Sequence, residues 1–228
     1  MNKNIIIAVF SLAVAGGGVI WWMERDNPSQ TVGSAEQDAG STPDDPDSAV
    51  DTSSIVEMTM GDENAPVTII EYASYTCPHC ASFHADQFKK LKTEFIDTGE
   101  VHFIYREVYF DGAGIWASIV ARCAGPERFF GVSDLIYAEQ REWLGSGQDP
   151  VAIADNLRRI GKVAGIDEAQ LQACLSDETK AQTLVAWYQK NAAAHDVTST
   201  PTLIINGEKH GNMSYSALKE IVEGLISG

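Results

Sequence analysis

Basic residues are scarce in this 228-residue chain: 16 Lys and Arg stand against 32 Asp and Glu, a formal net charge of −16. A nucleic-acid surface needs clustered cations against phosphate, so that class of partner is excluded. Cysteine is confined to Cys77, Cys80, Cys123 and Cys174. Cys77 and Cys80 form a CxxC, but no second CxxC and no HxxxH completes a zinc set, although His84 is near. A c-type haem site needs His directly after the second cysteine, and Ala81 stands there. Residues 111–196 contain neither a glycine-rich phosphate loop nor a His or carboxylate cluster suited to a metal. No cofactor and no metal are therefore expected.

The chain has room for one ordinary domain plus extra segments, and its 44% apolar content supports a real core. Four cysteines, an even number, suit two disulfides and an oxidising compartment. Lys3 supplies a positive flank to a nearly unbroken apolar run over 5–23, ending at Trp21 and Trp22. Its length and aromatic end favour an uncleaved anchor with the remainder outside the membrane. The alternative is a signal peptide cut near Ala15, after Ala13-Val14-Ala15. Residues 24–54 carry Glu36, Asp38, Asp44, Asp45, Asp47 and Asp51 among Pro, Ser, Thr and Gly. Such a composition buries too little apolar surface to offset its ordering entropy, so an acidic disordered tether is expected.

The folded part, 55–228, is organised around Cys77-Pro78-His79-Cys80. The apolar run 67–73 before it has the character of a central strand buried on both faces, which leaves the charge of Glu71 out of place. A helix is expected from Cys80 to about Phe95, with Phe83, Phe88, Leu91 and Phe95 as its apolar stripe. At the first turn of a helix, free N–H groups and the helix dipole favour a negative charge. A Cys77 thiolate there should have a lowered pKa, and a disulfide whose reduced form is so stabilised is a good oxidant. His79 can add a donor or a positive charge toward the same sulfur. His84, one turn beyond Cys80, reads as a solvated helix residue.

Val56–Met60 alternates and predicts a first strand, and Val101–Val108 another, parallel to 67–73 if the unit is βαβ. The helical block follows, with Asp167 and Gln170 in a capping-box pattern. Thr200-Pro201 then opens a β-branched run ending in Asn206-Gly207, a strong hairpin signal. Ser214 is placed to cap a final helix carrying Leu218, Ile221, Val222 and Leu225.

This order, with Glu71-Tyr72-Ala73-Ser74-Tyr75-Thr76-Cys77-Pro78-His79-Cys80 and Thr200-Pro201-Thr202-Leu203-Ile204-Ile205-Asn206-Gly207, resembles the DsbA-like thiol:disulfide oxidoreductases. The resemblance spans about 56–228. It implies an α/β, thioredoxin-like fold: a central mixed β-sheet flanked by helices, with an all-helical subdomain inserted at about 111–196. It implies Cys77 as exposed nucleophile, Cys80 as buried resolving cysteine, and Pro78 and His79 as tuners of redox poise. Pro201 falls on the family's cis-proline, and Thr200 on the backbone that meets an extended substrate. Glu71 falls on a buried acid that relays a proton to or from Cys80. Cys123 and Cys174, neither in a CxxC, are expected to form a second, structural disulfide.

The activity implied is introduction of disulfides into reduced exported proteins in the bacterial periplasm. Reoxidation would come from a quinone-linked, DsbB-like membrane partner. Disulfide isomerase or reductase is the alternative; the acidic linker, where isomerases of related fold usually carry a dimerisation module, counts against isomerase. A tethered chaperone or binding module is a third possibility, opposed by intact Cys77, Cys80 and Glu71.

Overall fold

Val67–Ala73 (β2) lies in the middle of a five-stranded mixed sheet of order β1-β3-β2-β4-β5. The computed structural model describes residues 50–228; the segment 1–23 and nearly all of the linker 24–54 lie outside the described residues. The neighbours of β2 are Val101–Glu107 (β3), parallel to it, and Thr202–Ile205 (β4), antiparallel. Met58–Met60 (β1) and Glu208–Gly211 (β5) form the edges. The middle position explains the apolar run: both faces of β2 are covered, and Val67, Ile69, Tyr72 and Ala73 are fully buried. β1 is shorter than the alternation predicts, because Val56 is exposed and its carbonyl accepts from Arg122.

The helix after the CxxC is interrupted where the sequence predicts one continuous element. Pro78–Ala85 (α1) ends at Asp86, whose backbone (φ −125°, ψ −70°) leaves the helical region. Gln87–Leu91 (α2) follows, then a π-helical turn over Lys92–Ile96. Phe83 and Phe88 are five residues apart, which on a straight helix turns them to different faces. The break absorbs the extra residue, and both rings are buried.

The helical block comprises Gly112–Cys123 (α3), Pro126–Ala138 (α4), Gln140–Leu144 (α5), Pro150–Val163 (α6), Glu168–Leu175 (α7) and Glu178–Ala194 (α8). Asp111, Asp149, Asp167 and Asp177 cap α3, α6, α7 and α8 by accepting from first-turn N–H groups. Half of the expected capping box forms: Asp167 accepts from the Gln170 N–H, but the Gln170 amide donates to the Cys123 carbonyl instead. The chain leaves helical geometry at Glu139 (φ −101°, ψ 16°), so Trp143 belongs to the short α5, fully buried. α6 and α7 approach closely at Gly161, where a Cβ would meet Leu171 at 2.6 Å. Asn206 and Gly207, both at positive φ (45° and 87°), turn β4 into β5. Tyr215–Ser227 (α9), capped by Ser214, buries Leu218 and Val222, whereas Leu225 is 41% exposed. Among the described residues no helix is long and apolar enough to cross a membrane.

Candidate active site

The segment from β2 to α1 is held from two sides before it reaches Cys77. Thr76 Oγ1 donates to Asp111 Oδ2 (2.9 Å), the carboxylate that caps α3. From the other side Gln140 Nε2 on α5 donates to the carbonyls of Tyr75 (2.8 Å) and Cys77 (2.9 Å). Nothing in the local sequence marks Gln140; only the fold brings a residue 63 positions away onto the nucleophile's backbone. Cys77 then occupies the N-cap of α1 in extended conformation (φ −83°, ψ 119°), and Pro78 follows at the first helical position, where its fixed φ suits the helix. The backbone therefore enters the helix with the Cys77 sulfur at the end where N–H groups are unpaired.

Cys77 and Cys80 are both free thiols in this structure. Cys77 is less open than an exposed nucleophile: 8% of it is accessible, against 0% of Cys80. It is covered by the loop before β4, whose Thr200 carbonyl accepts from Cys77 Sγ at 3.5 Å and whose Thr200–Pro201 peptide is cis. The Thr200 hydroxyl is buried and has no partner. The Cys80 thiol, donating to Cys77, is the main cause that lowers the Cys77 pKa to about 5; burial opposes it, and the neighbouring Thr200 and the N–H groups of Cys80 and His79 assist. His79 thus acts through its backbone, while its side chain is exposed beside that of Pro78. Burial pushes the Cys80 thiol far up, and the Cys77 thiolate and the Glu71 charge add to this. The two sulfurs are driven apart in acidity, so that one is ready to attack and the other holds its proton.

Beneath Cys80, Glu71 of β2 is fully buried and hydrogen-bonded through Oε2 to His84 Nε2 of α1 at 2.9 Å. The expectation of a solvated His84 is overturned: it is 2% exposed, stacked on Tyr137 (centroids 4.3 Å apart) and against Phe88 (4.6 Å). The signal was present in the spacing, since Cys80 and His84 lie four residues apart on one helix face, and burying the first turns the second inward. His84 also lines a groove of 420 Å³ between α1 and the α4–α5 corner. Tyr105 and Tyr137 close this region by a 2.6 Å hydroxyl–hydroxyl contact.

A second buried pair carries no mark in the local sequence. Glu107 at the end of β3 accepts from Arg122 of α3 through both oxygens (2.6 and 2.7 Å). Burial works against the Arg122 charge, but the Glu107 carboxylate outweighs it and raises the Arg122 pKa. This pair fastens α3 to the sheet. Cys123 at the end of α3 is joined to Cys174 of α7 (Cα–Cα 6.0 Å), within the helical block and apart from the CxxC. Among the described residues no cluster of three His, Cys, Asp or Glu side chains is placed to hold a metal ion.

The sequence matches a family described as thioredoxin over residues 53–224. A Rickettsia bellii protein, provisionally named a protein-disulfide oxidoreductase, is 30% identical over 171 residues, which cover 75% of this chain and 64% of that protein. The chain thus spans less than two thirds of the Rickettsia relatives it matches. Disulfide bond formation protein D of Bacillus subtilis is 25% identical over 181 residues, covering 74% and 77% of the two chains. Among solved structures, alpha-DsbA1 of Wolbachia pipientis superposes with a TM-score of 0.68 at 25% identity, over 75% of this chain and 91% of that one. Oxidised BdbD of Bacillus subtilis gives 0.66 at 26% identity, over 75% and 94%.

Proposed function

Because this chain belongs to the thioredoxin family, among its DsbA-like members, we propose that it is an exported dithiol oxidase that introduces disulfides into reduced proteins through Cys77 and Cys80. The observation that carries this is the pairing at one helix N-terminus of a sulfur favoured as thiolate with a buried sulfur held as thiol. A disulfide whose reduced form is stabilised in this way draws electrons from ordinary thiols.

In the forward cycle a substrate thiolate attacks Cys77 Sγ of the closed disulfide. The Cys77–Cys80 bond breaks, and Cys80 leaves with the electron pair and takes a proton. A second substrate thiolate attacks the substrate sulfur of the mixed disulfide, forming the substrate disulfide and releasing Cys77 as its thiolate. Glu71, the buried carboxyl whose charge acts on Cys80, exchanges the Cys80 proton in this cycle. The Thr200 backbone beside Cys77 offers an edge for an extended, unfolded substrate. Reoxidation returns two electrons to a membrane partner of the quinone-linked class. Export rests on the apolar run 5–23 and the cysteine usage, with the domain tethered in the periplasm by that segment or released after cleavage near Ala15.

The test is the equilibrium potential of the Cys77–Cys80 pair against glutathione, with Cys123 and Cys174 in place. A value more oxidising than about −200 mV is expected, and a value near the thioredoxin range of about −270 mV would refute an oxidase and indicate a reductase. Substrate folding activity that survives replacement of both Cys77 and Cys80 would instead indicate a binding module.

A further inference from the structure

The buried His84 has no part in the cycle above, yet its geometry joins that cycle to solvent. Its Nε2 and Glu71 Oε2 share a hydrogen bond of 2.9 Å, whereas its Nδ1 is buried with no partner. Glu71 mirrors this: Oε2 is paired with His84, and Oε1 is buried with no partner. Each group therefore keeps one free polar atom in an apolar setting, where an unmade hydrogen bond is costly. Of this pair, His84 is the residue that lines the groove between α1 and α4. The phenols packed on it, Tyr105 of β3 and Tyr137 of α4, are held by burial well above their ordinary range and bond to each other. Both therefore keep their protons at neutral pH and pass none on. Beyond the ring the groove presents Lys89, Asp134, Arg141 and Glu142, all in contact with solvent.

Resting on the oxidoreductase function just proposed, we infer that His84 is a positioning residue that passes protons between the α1–α4 groove and Glu71, and so sets the rate at which Cys80 changes its proton. When Cys80 leaves as thiolate, three transfers balance. Glu71 Oε1 gives a proton to Cys80 Sγ, Oε2 takes one from His84 Nε2, and Nδ1 takes one from groove water. When Cys80 attacks a mixed disulfide on Cys77 it must lose its proton, and the same three transfers run backward. The imidazole returns to its starting tautomer each cycle, so neither ring nor carboxyl needs to turn in its packed site. His84 never touches the reacting sulfur and acts only through Glu71.

The experiment follows reduced protein mixed with oxidised glutathione, acid-quenched and weighed by mass spectrometry. It separates the Cys77–glutathione mixed disulfide from the closed Cys77–Cys80 product. His84→Gln can keep a donor toward Oε2 but cannot take up a proton and pass one on. His84→Ala opens a space for added imidazole. Positioned acid–base groups typically contribute about 10²–10⁴-fold, and a residue acting one step away should show at least about 10-fold. In both variants the mixed disulfide should accumulate as ring closure slows by that factor. The rate at which it forms, and the Cys77 titration midpoint, should stay within about twofold and a few tenths of a pH unit respectively. Added imidazole should restore closure in His84→Ala and leave His84→Gln unchanged. Closure at the wild-type rate in His84→Gln overturns the relay, and so does slowed closure in a folded His84→Ala that imidazole does not restore. If His84→Ala fails to fold, the His84→Gln closure rate decides alone. Failure of the wild-type protein to form either product would overturn the oxidoreductase function itself, a different result.

Discussion

Replacing Cys80 by alanine separates the contributions that hold the Cys77 thiolate. In the intact site the Cys77 pKa is lowered from 9.0 to about 5, and the Cys80 thiol is the largest cause. Alanine removes that S–H donor and keeps the N–H donors of residues 79 and 80, because the helix start is set by the backbone and Pro78. A hydrogen bond to a charged acceptor contributes about 1.5–3 kcal/mol, and the largest cause of a four-unit drop that burial opposes belongs at the upper end. At about 1.4 kcal/mol per pH unit this raises the midpoint by about two units, to about pH 7. At pH ~6 the intact protein should then be roughly 90% thiolate and Cys80→Ala roughly 10%. The assay is thiolate absorbance in the ultraviolet across a pH titration, with the iodoacetamide alkylation rate as a second probe. A midpoint that stays at about 5 would show that the backbone N–H groups and Thr200 suffice. A return to 9.0 would show that they contribute nothing, and either result refutes the division of labour described above.

The same titration links to stability. Between about 5 and 9.0 the unfolded chain holds a proton on Cys77 that the native chain has lost, so the reduced protein gains stability as pH rises through that window and loses it as pH falls through about 5. The oxidised protein has no such thiol. The melting temperature of the reduced form minus that of the oxidised form should therefore rise from about pH 4 to about pH 8, and a flat difference would contradict the lowered pKa. Arg122→Met should cost about 3–5 kcal/mol in urea unfolding, because Glu107 is left charged and buried. Adding Glu107→Leu should recover most of that loss, and failure to recover would mean that packing rather than charge was lost. Gln140→Leu leaves the buried Tyr75 carbonyl without its donor, while the Cys77 carbonyl keeps the Ala81 N–H, and should cost about 1–3 kcal/mol; an unchanged urea midpoint would show that the α5 contact does not hold the Cys77 backbone.

Much of the fold was legible because periodicity and turn chemistry are local. The run 67–73 reads as a doubly covered strand and is the middle strand; Asn206-Gly207 reads as a two-residue hairpin turn and is one. Departures occur where spacing conflicts with a straight element. Phe83 and Phe88 cannot share a face of an unbroken helix, and the break at Asp86 resolves it. His84 departs for the opposite reason: its polar type suggests solvent, while its i+4 relation to Cys80 turns it inward.

The sequence by itself determined the chemistry available. A CxxC behind a buried strand, Pro78 at a helix start, Glu71 within an apolar run and Thr200-Pro201 before a β-branched run are all set by residue type and short spacing. Only the tertiary structure decided the partners of these groups. Cys77 is 123 residues from Thr200, Gln140 is 63 from Cys77, and Glu71 meets His84 across the strand–helix interface. Local propensity has no term for such contacts. They arise because burying the apolar faces of sheet and helices forces the polar groups left inside to find one another or remain unpaired.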